Sequence, residues 1–285
     1  MNTPSLPVIC INVEDARVRW KHIEDEAQRC LPGLPLFRIP AIHWKELSRD
    51  LSDVPMTPLT RFFVLHPDEQ KHNRVSHRQM DTPSSVGIML SHIRCWRWLV
   101  DRPQYAAALV LEDDACFDKG EWPAAINTTL EPLMRSTNDW DVMVIGYFNE
   151  GNRLERIQVG GLPVFTTQHF FGTHSYLVTQ SAARKLLSYS FPIEQQSDGF
   201  LLTMGQLGYI RLYLLDRSIV DQCMNSQDRM GGFHTGSVMS TSKLIVVRQN
   251  PTSDNALIEL NARQALTLLI LFVALCVLLG VLMHK

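Results

Sequence analysis

The stretch AALVLEDD, residues 107–114, sets three consecutive carboxylates, Glu112, Asp113 and Asp114, directly behind a short apolar run. A run this short and this apolar, bounded by charge, reads as a strand buried on both faces. Acids side by side repel, and each destabilises a fold if it is desolvated alone. A cation removes the conflict. Alternating side-chain direction places Glu112 and Asp114 on one side of the strand and Asp113 on the other. The pair separated by one residue is therefore the natural metal clamp. Carboxylate oxygens suit hard cations, Mn²⁺ or Mg²⁺, and magnesium is usually held by one or two carboxylates plus substrate phosphates. The alternative is a solvated turn at a strand end.

Outward from that strand, the pattern alternates. PVICINV (7–13) reads as a first buried strand, followed by a helix from Arg17 to Arg29 that Pro32, Gly33 and Pro35 end. LPLFRIPAI and RFFVL (61–65) read as further strands, and the polar segment between Pro67 and Pro83 as a long surface loop. Ser84 or Ser85 caps a helix, VGIMLSHIRCWRWLVD, with apolar residues at helical spacing. DVMVIGY (141–147), THSYLVT, YIRLYLL and SIVDQC are strands, with helices in SAARKLLS and FLLTMGQL. Strands alternating with helices, several of them continuous apolar runs, predict an α/β fold with a mostly parallel central sheet. In such a sheet ligands sit at the carboxyl ends of the strands, where the three acids fall.

The chain has 285 residues, 45% of them apolar and 20% charged, the composition of an ordinary globular core. Its 27 basic and 29 acidic residues give a formal charge of −2, so nothing supports a nucleic-acid or other polyanion partner. The six cysteines, Cys10, Cys30, Cys95, Cys116, Cys223 and Cys276, are scattered without CxxC spacing. That argues against a zinc site and a disulfide framework, and for reduced thiols in a cytosol-like compartment.

The C-terminus differs sharply from the rest. Ala265 to Met283 is nineteen residues without a charge, about 28 Å as a helix, against a hydrocarbon core of about 30 Å. The N-terminus lacks a basic, apolar signal segment. The expected organisation is a domain over 1–248, a polar linker over 249–264 and a C-terminal membrane helix over 265–283. The chain then reads as a single-pass, C-terminally anchored protein with its domain facing the cytosol.

Several segments resemble glycosyltransferase family 25, the lipooligosaccharide and collagen galactosyltransferase group, in the same order along the chain. LEDD after an apolar strand resembles its central signature. ICINVEDARVRW (9–20) resembles its N-terminal strand and first helix, SSVGIMLSHIRCWRWL (84–99) its Gly-x-x-x-Ser-His helix, and FGTHSYLVTQSAARKLL (171–187) its Gly-Thr-x-x-Tyr segment. PIEQQSDGFL (192–201) is similar to the segment bearing a further acid, and VDQCMNSQDR (220–229) to a late Gln…Ser element. The resemblance covers roughly residues 8 to 230. Ala16 stands where the family has its first arginine, Ile88 where it often has cysteine, and a C-terminal span is not its common arrangement.

The resemblance implies a glycosyltransferase A-type nucleotide-sugar-binding fold and an inverting hexosyltransferase taking a UDP-sugar, with galactose as the expected hexose. The acceptor is a hydroxyl on a glycan, glycolipid or glycoprotein. On this reading Glu112 and Asp114 hold the metal, with His234 in GGFHTG as a third ligand, and Asn12, Arg19, Ser91, His92 and Asp113 belong to the donor site. An inverting transfer needs a carboxylate base; Asp198 is the candidate and Glu194 the next. Each has a plainer reading: Asn12 or Asp198 as a cap, Arg19 on a solvated helix face, His92 as a structural histidine, His234 on the surface. Two rivals stand beside the enzyme. One is a non-catalytic, membrane-tethered protein that binds nucleotide sugar or glycan. The other is a metal-dependent phosphate-ester enzyme such as a nuclease, which the charge balance and the order of the segments disfavour.

Overall fold

The computed structural model describes residues 6–69, 78–117, 122–148 and 151–223, all within one compact unit, Met1–Met239. Strand β1 (Val8–Asn12) and helix α1 (Arg17–Cys30) lead into β2 (Leu36–Pro40) and α2 (Pro58–Leu65). Helix α3 (Pro83–Val100) precedes β3 (Ala107–Glu112), the short β4 (Ala115–Cys116) and α4 (Trp122–Arg135). Strands β5 (Val142–Phe148), β6 (Arg153–Val159), β7 (Leu162–Thr167) and β8 (Phe171–Thr179) follow. Helices α5 (Gln180–Tyr189) and α6 (Ser197–Gln206) come next, then β9 (Leu212–Leu215) and β10 (Asp221–Gln222).

Eight strands form one sheet in the order β2-β1-β3-β8-β5-β9-β7-β6. The fold is α/β, as expected, but the sheet is mixed rather than mostly parallel. β1 runs parallel to β2 and β3, and β5 to β9, whereas β8 lies antiparallel between β3 and β5 and the β6–β7 hairpin antiparallel at the edge. A buried apolar run such as that of β8 has no mark of direction. Its place is set by pairing with β3 and β5, strands distant along the chain, while β7, which precedes it, lies elsewhere in the sheet.

The central strands are covered on both faces, which explains their unbroken apolar runs. Ile9, Ile11, Ala108, Val110, Val142, Val144, Tyr176 and Val178 meet α3, α5 and α6 on one face. Val8, Cys10, Leu109, Leu111, Met143, Ile145 and Leu177 meet α1 and α4 on the other. The helices begin where their caps dictate. Thr82 accepts the Ser85 N–H at 3.1 Å ahead of Pro83, and Thr179 accepts the Ala182 N–H at 3.1 Å.

RFFVL is helical, not a strand. Thr57 accepts the Thr60 N–H at 3.4 Å and Pro58 opens the first turn, so the start signal outweighs a short apolar run. The β6–β7 hairpin turns at Gly160 and Gly161, both at positive φ (58° and 79°), which a two-residue type I′ turn needs.

The cysteines correct a second expectation. Cys116 and Cys223, 107 residues apart, form a disulfide with Cα atoms 5.5 Å apart. Antiparallel pairing of β4 with β10 sets Asp221 opposite Cys116 and Gln222 opposite Ala115, which brings the two sulfurs together. Cys10, Cys30 and Cys95 are buried and take no part in that bridge. His234, the linker over 249–264 and the apolar run over 265–283 lie outside the described residues. No helix among the described residues is long and apolar enough to cross a membrane.

Candidate functional site

Strand β3 delivers Glu112 to the end of the sheet, and Asp113 and Asp114 turn away from it. Glu112 and Asp113 face different partners, as alternation predicts. Oε1 of Glu112 accepts from Thr173 Oγ1 at 3.0 Å and lies 3.3 Å from His92 Nε2. Burial pushes its acidity down, but His92 first, then His174 and Thr173, outweigh that and hold its pKa below the ordinary carboxylate value.

His92 is fully buried on α3. Its Nδ1 is 3.0 Å from the Tyr176 hydroxyl, which itself accepts the Trp96 indole N–H at 3.0 Å. Trp96 has only a donor to offer, so the Tyr176 proton goes to His92 Nδ1 and the Nε2–H of His92 donates to Glu112. Ser91, one residue earlier, has a different part. Its hydroxyl donates to the Gly87 carbonyl at 2.7 Å and accepts the Ile42 N–H at 2.8 Å, tying the chain after β2 to α3.

Asp113 belongs to a second network. Its Oδ2 accepts from Asn12 Nδ2 at 2.6 Å and its Oδ1 pairs with Arg19 at 2.9 Å. Asn12 is fully buried, and its Oδ1 accepts from Arg38 Nε at 2.8 Å. The amide of Asn12 is thus engaged at both ends, and Arg19 is paired with a carboxylate. Arg38 continues the chain to the Glu14 carbonyl at 2.8 Å and stacks 5.3 Å from the Trp20 ring centroid. Burial raises the pKa of Asp113, against the pull of Arg19 and Asn12.

Asp114 is the residue left over. Its Oδ1 is buried and has no hydrogen-bond partner among the described residues. Burial, then the negative charges of Glu112 and Asp113, raises its pKa well above the ordinary value. Its backbone is fixed instead, since its carbonyl accepts the Cys223 N–H at 2.9 Å. A carboxylate beside two others, with one oxygen buried and unpartnered, is suited to a cation. Among the described residues, however, no third His, Cys, Asp or Glu converges with Glu112 and Asp114. The one group of three that does converge is His22, Cys116 and Cys223.

Asp198 sits in the first turn of α6. Its Oδ2 accepts the Gly172 N–H at 3.2 Å and its Oδ1 the Gly199 N–H at 2.7 Å. Burial raises its pKa, and these N–H groups pull the other way. Thr173 links this acid to the first, because its hydroxyl meets Glu112 and, at 2.8 Å, the Ser197 hydroxyl next to Asp198. Glu194 takes no such place; its backbone carbonyl accepts the Met80 N–H at 3.3 Å.

Arg38, Trp96 and His174 were not among the expected site residues, and Thr173 and Tyr176 stood in the Gly-Thr-x-x-Tyr segment without a role assigned to them. His174 is fully buried, stacked on Phe148, with Nε2 2.9 Å from the Val220 carbonyl. Its Nδ1 has no partner among the described residues. A polar side chain in FGTHSYLVT, between apolar neighbours, was the available signal for Thr173 and His174. Arg38 carries none, because its role depends on β2 pairing with β1.

A family model described as "Glycosyltransferase family 25 (LPS biosynthesis protein)" matches residues 5–201. No curated protein matches the chain. Among solved structures, apo mouse xyloside xylosyltransferase 1 is 12% identical, over 74% of this chain and 72% of its own, with a TM-score of 0.38. A197 from STIV is 10% identical, over 75% of this chain and 83% of its own, with a TM-score of 0.32. Likenesses at TM-scores this low carry no argument about activity.

Proposed function

The chain belongs to glycosyltransferase family 25, and from that premise we propose that it is a metal-dependent hexosyltransferase. It moves a hexose, galactose first among the candidates, from a UDP-sugar to a hydroxyl of a glycan, glycolipid or glycoprotein, with inversion. The single observation that carries the metal reading is Asp114, a half-buried residue whose Oδ1 is buried without a partner among the described residues, beside Glu112 and Asp113.

Glu112 and Asp114 would hold Mn²⁺ or Mg²⁺, with the donor diphosphate completing the coordination. The cation supplies charge neutralisation for the departing UDP. The chain's own residues do the rest. Trp96, Tyr176 and His92 fix the orientation of Glu112, and Thr173 holds the same oxygen. Asp113 is braced by Arg19 and Asn12, so the turn that carries Asp114 is anchored from the α1 side. Asp198 takes the proton of the acceptor hydroxyl as that oxygen attacks the anomeric carbon opposite UDP. Its raised pKa brings it toward the range where a general base works at neutral pH.

Residues 265–283 would anchor this domain to a membrane, with the site facing the cytosol. A panel of UDP-sugars with hydroxyl acceptors, followed by NMR of the product's anomeric configuration, tests the assignment. Inverted product from one UDP-hexose supports it. Retained configuration removes the role of Asp198, and donor binding without transfer favours a non-catalytic, membrane-tethered protein.

A further inference from the structure

Beyond the carboxylates, one other group of side chains has the chemistry of a site. His22 Nε2 and the sulfurs of Cys116 and Cys223 all lie within 4.8 Å of one another. A disulfide by itself has no need of an imidazole, yet His22 brings Nε2 to 3.6 Å from Cys223 Sγ. The three residues come from α1, β4 and the end of β10, elements far apart in sequence that the fold brings together.

We propose that His22, Cys116 and Cys223 form, when the bridge is reduced, a binding site for a thiophilic divalent cation, Zn²⁺ foremost. Two thiolates and one imidazole are the ligand set of a tetrahedral zinc site whose fourth position is left to water. Opening the bridge needs a two-electron reductant, in a cell a dithiol such as cytosolic reducing systems supply. That reductant gives two electrons and two protons: the S–S bond breaks, two S–H bonds form, and the reductant closes into its own disulfide. Binding then releases the two thiol protons to solvent and forms two S–metal bonds. The tautomer with its proton on Nδ1 presents the Nε2 lone pair to the metal, giving up the 3.0 Å contact with the Ala115 carbonyl.

The site clasps the same two strands in either redox state, by a disulfide when oxidised and by the cation when reduced. Those strands flank the candidate carboxylates, because Cys116 lies two residues beyond Asp114 and the Cys223 N–H donates to the Asp114 carbonyl. The proposal does not depend on the transferase reading. It rests on sulfur and imidazole ligands, whereas that reading rests on oxygen.

Cobalt(II) is the probe, since a sulfur-to-cobalt charge-transfer band arises only from thiolate ligands. The full-length chain in detergent, reduced with a phosphine under anaerobic conditions, is titrated with Co²⁺ and then with Zn²⁺. One equivalent of Co²⁺ is expected to give the thiolate band with tetrahedral d–d absorption, and Zn²⁺ to bleach both. The oxidised chain should give neither. Cys223→Ser should abolish the band. His22→Asn, which leaves both cysteines in place, should weaken binding about tenfold or more. A reduced wild-type chain without the band overturns the proposal, as does a band of unchanged intensity in Cys223→Ser, which would assign it to cysteines outside this pair, Cys10, Cys30, Cys95 or Cys276. Unchanged affinity in His22→Asn overturns the role of the imidazole.

Discussion

His92 Nε2 stands 3.3 Å from Glu112 Oε1 while its Nδ1 meets the Tyr176 hydroxyl at 3.0 Å, so one buried ring joins the helix α3 to the end of strand β3. The proton positions follow from Trp96, whose indole can only donate. Tyr176→Phe removes the group that sets the His92 tautomer and leaves the Trp96 N–H without its acceptor. Unpaired buried polar groups cost about 1–3 kcal/mol each, so the variant should melt several degrees lower. Loss of an orienting partner should also weaken Mn²⁺ affinity about 10–100-fold. Calorimetry and a metal titration check the two effects separately.

Asp114 should trade stability against activity. It stands half-buried beside two other acids, and its Oδ1 is buried without a hydrogen-bond partner among the described residues. Replacement by Asn removes the charge conflict, and the metal-free variant should be more stable by about 1 kcal/mol, or roughly 2–4 °C in Tm. Mn²⁺ should raise the Tm of the wild type and leave that of Asp114→Asn unchanged. A lower Tm for the metal-free variant would mean that Asp114 is a structural carboxylate.

Gly172 is at φ 89°, and a Cβ there would lie 3.0 Å from both His174 Nδ1 and the Phe148 ring. Its N–H also donates to Asp198. Gly172→Ala should cost about 1–3 kcal/mol from backbone strain alone. Because the same shift moves the donor off Asp198, kcat should fall more than KM rises. Denaturant unfolding and steady-state kinetics give the two numbers.

Much of this was legible in the sequence, and the rest was hidden for identifiable reasons. β1, β3, β5 and β8 were readable because both their faces are covered, so apolar runs persist without polar breaks. The position of Glu112, Asp113 and Asp114 at the end of β3 followed from that run. RFFVL was misread because four consecutive apolar residues suit either element and the Thr57–Pro58 start was passed over. Gly160–Gly161 was likewise a readable hairpin turn. Nothing in the sequence marks β8 as antiparallel, Arg38 as a partner of Asn12, or Cys116 as a partner of Cys223. Each depends on pairing between strands distant along the chain.

Asp141 offers a test of acid stability remote from the site. It is almost fully buried and accepts from the Arg211 N–H at 2.8 Å and Arg211 Nε at 3.2 Å, with Lys185 Nζ at 3.4 Å. Burial raises its pKa, but the Arg211 bonds and Lys185 outweigh this and hold it below 3.8. A carboxylate with a depressed folded pKa contributes stability above its unfolded value, and that stability is lost as pH falls through the folded value. Asp141→Asn should therefore destabilise by about 1–3 kcal/mol at neutral pH. The difference from wild type should narrow below pH 3.8. Thermal melts across pH 2–7 read this directly; a constant difference would show that the charge of Asp141 contributes nothing.

The most direct test of the central claim is UDP release from a panel of UDP-sugars by the full-length chain, with Mn²⁺, with chelator, and in Asp114→Ala. Release from one sugar that needs Mn²⁺ and is lost in the variant is the expected result, and it would identify the donor. Release that persists in chelator or in Asp114→Ala would contradict the account, because the three acids at the end of β3 would then hold no catalytic cation.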